Sequence, residues 1–237
     1  MTAARTLLNL ALCTTLVPLW GCSDETDSEG YISGIDVSYF QGTIDWSAVG
    51  QSNVAFTFIK VSEGLTIEDP QLKANWDGAH AAGLRRGGYH VFVPTDDGAA
   101  QAKYFLDTLH GIGADHNGAL PPVLDIETNQ SANSIEAIAN MEKWLEAVEA
   151  EFHCKPIIYT NVSNFVGTPA HKKLFEYPLW IADYSQSPPR VPQGWKTWTF
   201  WQISDSSKMK GIASADLDSD RFKGGRLRLT LETCLGW

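Results

Sequence analysis

Short runs of apolar and β-branched residues, bounded by glycine, proline or acidic turns, recur along the chain between stretches of helical period. Residues 32–38 (ISGIDVS) read as a first strand. Ile35 and Val37 flank Asp36, and strand side chains alternate faces, so the acid points away from both. Gln41-Gly42 turns the chain, and Asp45 can cap a short helix over residues 46–49. Residues 55–61 (AFTFIKV) form a second strand, with Ser62-Glu63-Gly64 as its exit. Asp69-Pro70 predicts a helix start with Asp as N-cap and Pro in the first turn, and Gly83 predicts its end. Residues 87–93 (GGYHVFV) are a third strand, followed by a helix over 98–109. Residues 120–127 (LPPVLDIE) are too short an apolar run for a helix and read as a buried strand. Asn133 and Glu136 predict a capping box for a long helix over 134–152, and residues 156–160 (PIIYT) are the fifth strand.

The pattern then changes. Residues 179–184 (LWIADY), 197–204 (TWTFWQIS) and 213–217 read as strands joined by short or proline-rich links such as 187–194. Five βα units followed by three strands predict a single-domain α/β protein, an irregular (β/α)5(β)3 TIM-like barrel. A length of 237 residues suits one such barrel. Chemistry in these barrels gathers at the C-terminal ends of strands, where Asp36, Asp125 and Glu127 fall. Asp125 and Glu127 are two positions apart in one strand, so they share a face about 6–7 Å apart along the backbone. Two ionisable groups in an otherwise oily strand are costly to bury without a purpose.

Outside the barrel pattern, Arg5 precedes an apolar segment over 7–20 that Asn9 and Pro18 interrupt. It is too short for a membrane span and matches a secretory signal over residues 1–21. It ends Leu19-Trp20-Gly21-Cys22, which resembles the bacterial lipobox, whose cysteine is lipidated and becomes the new N-terminus. An ordinary signal peptide cleaved nearby is the alternative. Residues 22–30 are polar and acidic and read as a flexible tether, residues 31–222 as the barrel, and residues 223–237 as a C-terminal extension. The alternating RLRLTLETC of that extension predicts an added edge strand pinned through Cys234. The expected location is extracytoplasmic, as an outer-membrane or cell-surface lipoprotein attached only through Cys22, or else secreted.

Net charge of −10 argues against nucleic acid as a partner. No Cys/His cluster has metal-ligand spacing, so neither a metal nor another cofactor is expected. Beyond Cys22 only Cys154 and Cys234 remain, and an oxidising compartment would permit a disulfide between them without the sequence establishing one.

Taken together, GIDVS with Gln41-Gly42 and Ile44-Asp45-Trp46, then FIKVSEG, GYHVF, PPVLDIE, PIIYT, LWIADY, TFWQIS and ADLD before Phe222 resemble glycoside hydrolase family 25, the Chalaropsis-type lysozymes. The likeness covers residues 34–222. It implies the (β/α)5(β)3 barrel and hydrolysis of the β-1,4 bond between N-acetylmuramic acid and N-acetylglucosamine in peptidoglycan, by a chain expected to work as a monomer. It implies Glu127 as proton donor, and Asp125 as nucleophile or stabiliser of a charged intermediate. Asp36 and Asp216 match acids that line the same pocket, with Asp218 competing for the last place. Tyr89 matches a groove tyrosine, whereas His90 alternates to the opposite face and reads as structural. Tyr184, Trp201 and Gln202 are candidate sugar contacts. Val93-Pro94 departs from the family's pattern and is expected to reshape a groove wall. An inactive wall-binding lipoprotein and another glycosidase such as a chitinase stand as alternatives.

Overall fold

The computed structural model describes residues 26–114, 119–127, 133–163, 171–185, 187–225, 228–229 and 234. In chain order the elements are β1 (Ile32–Val37), α1 (Trp46–Val49), β2 (Phe56–Glu63), β3 (Ile67–Glu68), α2 (Leu72–Ala81), β4 (Arg85–Val91), α3 (Gly98–Gly111), β5 (Val123–Asp125), α4 (Ile135–Phe152), β6 (Ile157–Asn161), β7 (Leu179–Ala182), β8 (Phe200–Ser207) and β9 (Leu217–Phe222). Strands β1, β2, β4, β5, β6, β7, β8 and β9 pair in that order, and β9 pairs back to β1, so the sheet closes into a barrel. All neighbours are parallel except β9, which runs antiparallel to both β8 and β1. The β2–β3 hairpin stands outside the ring.

Alternation of side chains builds two apolar layers. Ile35, Val37, Ile59, Val61, Leu124, Ile126, Ile158 and Ile181 point outward, into a core completed by Trp76, Phe105, Met141, Trp144 and Val148 of the helices. Ile32, Phe56, Phe58, Val123, Ile157, Trp180, Phe200 and Phe222 point inward and fill the lower barrel. Phe58 stacks on Trp180 with centroids 4.5 Å apart, and Phe56 and Phe200 meet edge to face at 5.2 Å. Gly34 is required there, because a Cβ would run into the Phe56 ring.

From floor to mouth, each inward face passes from apolar to polar. The series are Ile32, Gly34, Asp36 on β1; Phe56, Phe58, Lys60 on β2; Val123, Asp125 and then Glu127 on β5; and, reversed on antiparallel β9, Phe222, Asp220, Asp218. Burying each large ring stabilises the fold by about 1.5–3 kcal/mol. The same dry floor disfavours any charge placed directly above it.

Several elements differ from the sequence reading. Helix α2 starts at Leu72, and the Asp69 carboxylate accepts from the Tyr39 N–H at 2.9 Å and the Gln71 N–H at 2.8 Å. It therefore ties the loop after β1 to the α2 entrance instead of capping the helix. The N-cap of α4 is Ser134, one residue beyond Asn133, and its hydroxyl accepts from Ala137. The last strand lies at 217–222, because LDSDRF alternates acids against outward residues and so presents no apolar run. Between β6 and β7 the described residues hold one 3-10 turn, Leu174–Glu176.

The edge strand expected over the RLRLTLETC stretch is not present at the residues described there, 228–229, and the rest of that stretch apart from Cys234 lies outside the described residues. Residues 228–229 are helical, Leu229 donates its N–H to the Gly225 carbonyl at 3.0 Å, and its side chain is buried with the inner layer. Cys154, just past α4, and Cys234 form a disulfide with Cα atoms 5.5 Å apart, and the Cys234 N–H donates to the Ala119 carbonyl at 3.0 Å. At the other end, residues 26–30 are not a free tether. Asp27 accepts from the Glu29 and Tyr31 N–H groups, and the Arg221 guanidinium reaches Asp27 at 2.7 Å and Glu29 at 3.2 Å. That guanidinium also lies over Tyr31 and Trp201, so acids that read as solvated in the sequence cover the outer faces of β8, β9 and β1. The signal segment and Cys22 lie outside the described residues. Among the described residues no helix is long and apolar enough to cross a membrane.

Candidate active site

The polar ends of the inward faces surround a cavity of about 520 Å³ at the C-terminal mouth of the barrel. Asp36, Tyr89, Asp125, Glu127, Tyr184 and Gln202 all line it, as the sequence leads one to expect. Gln202 is the hub of its hydrogen bonds. Its amide nitrogen donates to Asp36 Oδ2 at 2.8 Å, and its amide oxygen accepts from the Tyr159 hydroxyl at 2.9 Å and the Tyr184 hydroxyl at 2.5 Å. Two hydroxyl donors on one oxygen and a carboxylate on the other side leave a single sensible orientation for the amide. Residues from β1, β6, β8 and the segment just after β7 are thereby held in one frame.

Trp201 is not part of this frame. Because Gln202 faces inward, its neighbour must face outward. Trp201 is buried there, donates Nε1–H to the Asp183 carbonyl at 2.9 Å, and packs on Trp198 and Tyr31. The tryptophan that lines the cavity is Trp180, whose Nε1–H donates to Asp220 Oδ1 at 3.0 Å. Its signal lies in the sequence, since Trp180, Ala182 and Tyr184 share one side of the alternation. Tyr159 and Lys60 also escape the sequence reading and are found by the same count along PIIYT and FIKV. Val93 and Pro94 do not line the cavity, and Val91 takes that wall.

Asp216 and Asp218 both reach the cavity but in different settings. Asp216 precedes β9, is exposed at the rim, and contributes its backbone carbonyl to the Gln41 side-chain amide at 2.6 Å. Asp218 lies across from Asp36 in the β1–β9 register and is half-buried. His90 sits on the opposite face from Tyr89. It is fully buried beside Trp144, with Nε2 to Gln101 Oε1 at 3.2 Å and Nδ1 to the Ser62 hydroxyl at 2.9 Å. Burial drops its pKa to about 4, so it stays neutral, as a structural histidine should.

Electrostatics of the cavity are dominated by acids in a dry place. Burial, with Asp220 and Asp218 nearby, pushes Asp36 well above the carboxylate range, and Gln202 opposes this only in part. Burial and then the Glu127 charge do the same to Asp125, whose Oδ1 has no hydrogen-bond donor among the described residues. Burial and Asp218 raise Asp220, whose Oδ2 is likewise without a donor and whose carboxyl faces Asp36. A charge on such oxygens is poorly stabilised by the protein alone. Glu127 is exposed in area at the mouth, yet its partial desolvation still raises it, against the pull of Lys60 and a Tyr159 hydrogen bond. Lys60 itself is paired with Glu63 at 2.7 Å. Among the described residues no group of three His, Cys, Asp or Glu side chains is placed to hold a metal ion.

Asp218 is pushed up to about 7, first by burial and then by Asp205, Glu127 and Asp216. Its ordinary value is about 3.9. A raised acid favours the folded state fully below its unfolded pKa, and the benefit is lost as pH rises through the folded one. Asp218→Asn should therefore leave Tm nearly unchanged at pH 4 and raise it at pH 8. A thermal-unfolding series showing the same shift at both pH values would contradict this.

A closed barrel whose C-terminal mouth holds clustered carboxyls above an aromatic floor belongs to the class of carbohydrate-cleaving barrel hydrolases. Residues 35–212 match the family model described as "Glycosyl hydrolases family 25", and the chain belongs to that family. It is 37% identical over 212 residues to Lysozyme M1 of Streptomyces globisporus, covering 86% of this chain and 71% of that one. It is 32% identical over 189 residues to the N,O-diacetylmuramidase of Chalaropsis sp, covering 74% and 89%. Among solved structures, the bacterial lysozyme from Streptomyces coelicolor superposes with a TM-score of 0.74 at 31% identity, covering 85% of this chain and 96% of that one.

Proposed function

We propose that this chain is a muramidase that hydrolyses the β-1,4 bond between N-acetylmuramic acid and N-acetylglucosamine in peptidoglycan. The observation that carries the reading is the placement of Glu127 and Asp125 on one inward face at the mouth of a sugar-sized cavity, within a family 25 barrel. Glu127 is the proton donor. Its pKa is raised, and its side chain reaches solvent at the mouth, where a glycosidic oxygen can approach. Asp125, deeper and drier, is placed to face the anomeric carbon as nucleophile or as electrostatic partner of the developing positive charge. Asp36 and Asp218 close the pocket wall, with Gln202 fixing Asp36. Trp180 and Tyr184 offer aromatic faces to a pyranose ring, and Tyr89 walls the groove beside them.

Reducing-end analysis of digested, purified peptidoglycan tests the reading. New ends should be N-acetylmuramic acid. New N-acetylglucosamine ends, or cleavage of chitin without cleavage of peptidoglycan, would move the assignment to another glycosidase. Retention on peptidoglycan without any cleavage would favour the inactive wall binder.

For delivery we propose lipidation at Cys22, supported by the lipobox-like Leu19-Trp20-Gly21-Cys22. Expressed with its own signal in a bacterium, the protein should partition into detergent, since two or more acyl chains anchor far more firmly than one. Cys22→Ser should release it. Wild-type protein recovered soluble and unacylated would leave plain secretion.

A further inference from the structure

Phe40 is the most exposed aromatic residue among the large apolar side chains of the described chain, at 67%, and Tyr39 beside it is 44% exposed. Single exposed apolar residues are ordinary and need no explanation. This pair is different in how firmly it is held. Tyr39–Gln41 is a 3-10 turn closed by a capping box, in which Ser38 Oγ accepts from the Phe40 N–H and Gln41 Oε1 accepts from the Ser38 N–H at 2.8 Å. Gln41 then donates to the Asp216 carbonyl, and the Tyr39 N–H is taken by Asp69. Three separate parts of the chain thus lock the backbone of a turn whose rings remain in water. The two rings stack on each other at 4.2 Å and 30°. Phe40 also lines the catalytic cavity, so the apolar face is continuous with the site.

The position of the pair gives the groove a direction. Around the ring, β1 is separated from β5 by β2 and β4, so the turn after β1 lies almost across the mouth from Glu127. On its far side Glu127 borders a second cavity of about 490 Å³, lined also by Tyr159, Asn161, Tyr184 and Arg190. The order across the mouth is therefore Phe40, the acid pocket, Glu127, the second cavity. With a glycosidic oxygen at Glu127, the sugar keeping its anomeric carbon occupies the acid pocket and the leaving sugar enters the second cavity. Whatever continues past the acid pocket toward Phe40 belongs to the part of the glycan that does not leave.

We propose that Phe40, backed by Tyr39, is a stacking platform for sugars of the glycan strand on the non-leaving side of the cut, beyond the pocket that holds the reacting sugar. The proposal rests on the muramidase reading and adds to it a binding subsite for the apolar face of a pyranose ring. Flat, rigid aromatic area suits that ligand, because it contributes contact at little conformational cost.

Kinetics on glycan fragments of defined length test it. A trisaccharide with N-acetylmuramic acid at its non-reducing end places one sugar on the non-leaving side, whereas a tetrasaccharide and a hexasaccharide that begin with N-acetylglucosamine place two and up to four there. Wild type should favour the longer fragments in kcat/KM. In Phe40→Ala that preference should fall about tenfold, through KM, and Phe40→Trp should restore it. Unchanged preference in both Phe40→Ala and Tyr39→Ala, with cleavage otherwise normal, overturns the platform alone. Failure of wild type to cleave any of the fragments or the polymer overturns the muramidase reading beneath it.

Discussion

Glu127→Gln is expected to give a folded protein that still binds peptidoglycan and cleaves it about 10³-fold more slowly, the middle of the range for loss of a general acid. The amide preserves the shape of the side chain, and Glu127 sits at the mouth, outside the packed layers, so little stability depends on its charge. What disappears is a proton at the point where the leaving oxygen needs one. The surroundings explain why the native group can hold that proton. Partial desolvation and the nearby Glu63 raise its pKa, while Lys60 and the Tyr159 hydrogen bond keep the rise in check. A donor raised too far would protonate poorly, and one left at the usual value would be ionised near neutrality. Thermal unfolding and a pull-down on intact peptidoglycan establish fold and binding, and release of soluble fragments measures turnover. A folded, wall-binding Glu127→Gln protein working within about tenfold of wild type would remove Glu127 from the proton-donor role.

Why the places of Asp36, Asp125 and Glu127 stand out in the sequence, while those of Trp180 and Asp218 are easily passed over, follows from how alternation propagates. In GIDVS and VLDIE the acids interrupt runs of branched apolar residues, so period 2 assigns their face without ambiguity. LWIADY and TFWQIS are apolar on both faces, because the barrel wall is packed from inside and outside. There the choice between Trp180 and Trp201 depends on register, and the more conspicuous WQ pair points to the wrong indole. Strand β9 fails for the opposite reason. Its inward residues at the mouth are acids, so LDSDRF has no apolar periodicity, and the apolar pattern favours 213–217 instead. That displacement shifts the expected acid to exposed Asp216, two residues before the position facing Asp36. The Cys154–Cys234 bridge is out of reach of the sequence because it depends on where the tail runs after Gly224-Gly225. Leu229 enters the apolar layer at the barrel floor, and this brings the tail toward the end of α4.

Loss of Asp125 should be as damaging as loss of Glu127, but for a different physical reason, and chemical rescue separates the two. Asp125 lies directly beneath Glu127 on the drier side of the pocket, with one carboxyl oxygen lacking a donor among the described residues. Burial and the Glu127 charge hold its pKa well up, so the ionised form is poorly stabilised by the protein alone. Positive charge developing at the anomeric carbon supplies the missing stabilisation, and a carboxylate destabilised in the ground state gains most from it. Asp125→Asn removes that gain while keeping shape, and turnover should fall on the order of 10²–10³-fold. Activity should be bell-shaped, its alkaline limb reporting loss of the donor's proton and its acid limb protonation of a required carboxylate. The two groups interact, so the limbs belong to the pair, and Asp125→Asn should alter both. Azide tests whether Asp125 also forms a bond. In Asp125→Ala the small anion can enter the vacated space, and if Asp125 is the nucleophile, activity should return with an α-configured glycosyl azide as product. No rescue in Asp125→Ala, together with tight binding of an oxazoline-type inhibitor by wild type, would assign the attack to the substrate's own N-acetyl oxygen. Asp125 would then orient that group and balance its charge. Near-wild-type turnover by Asp125→Asn would exclude both roles.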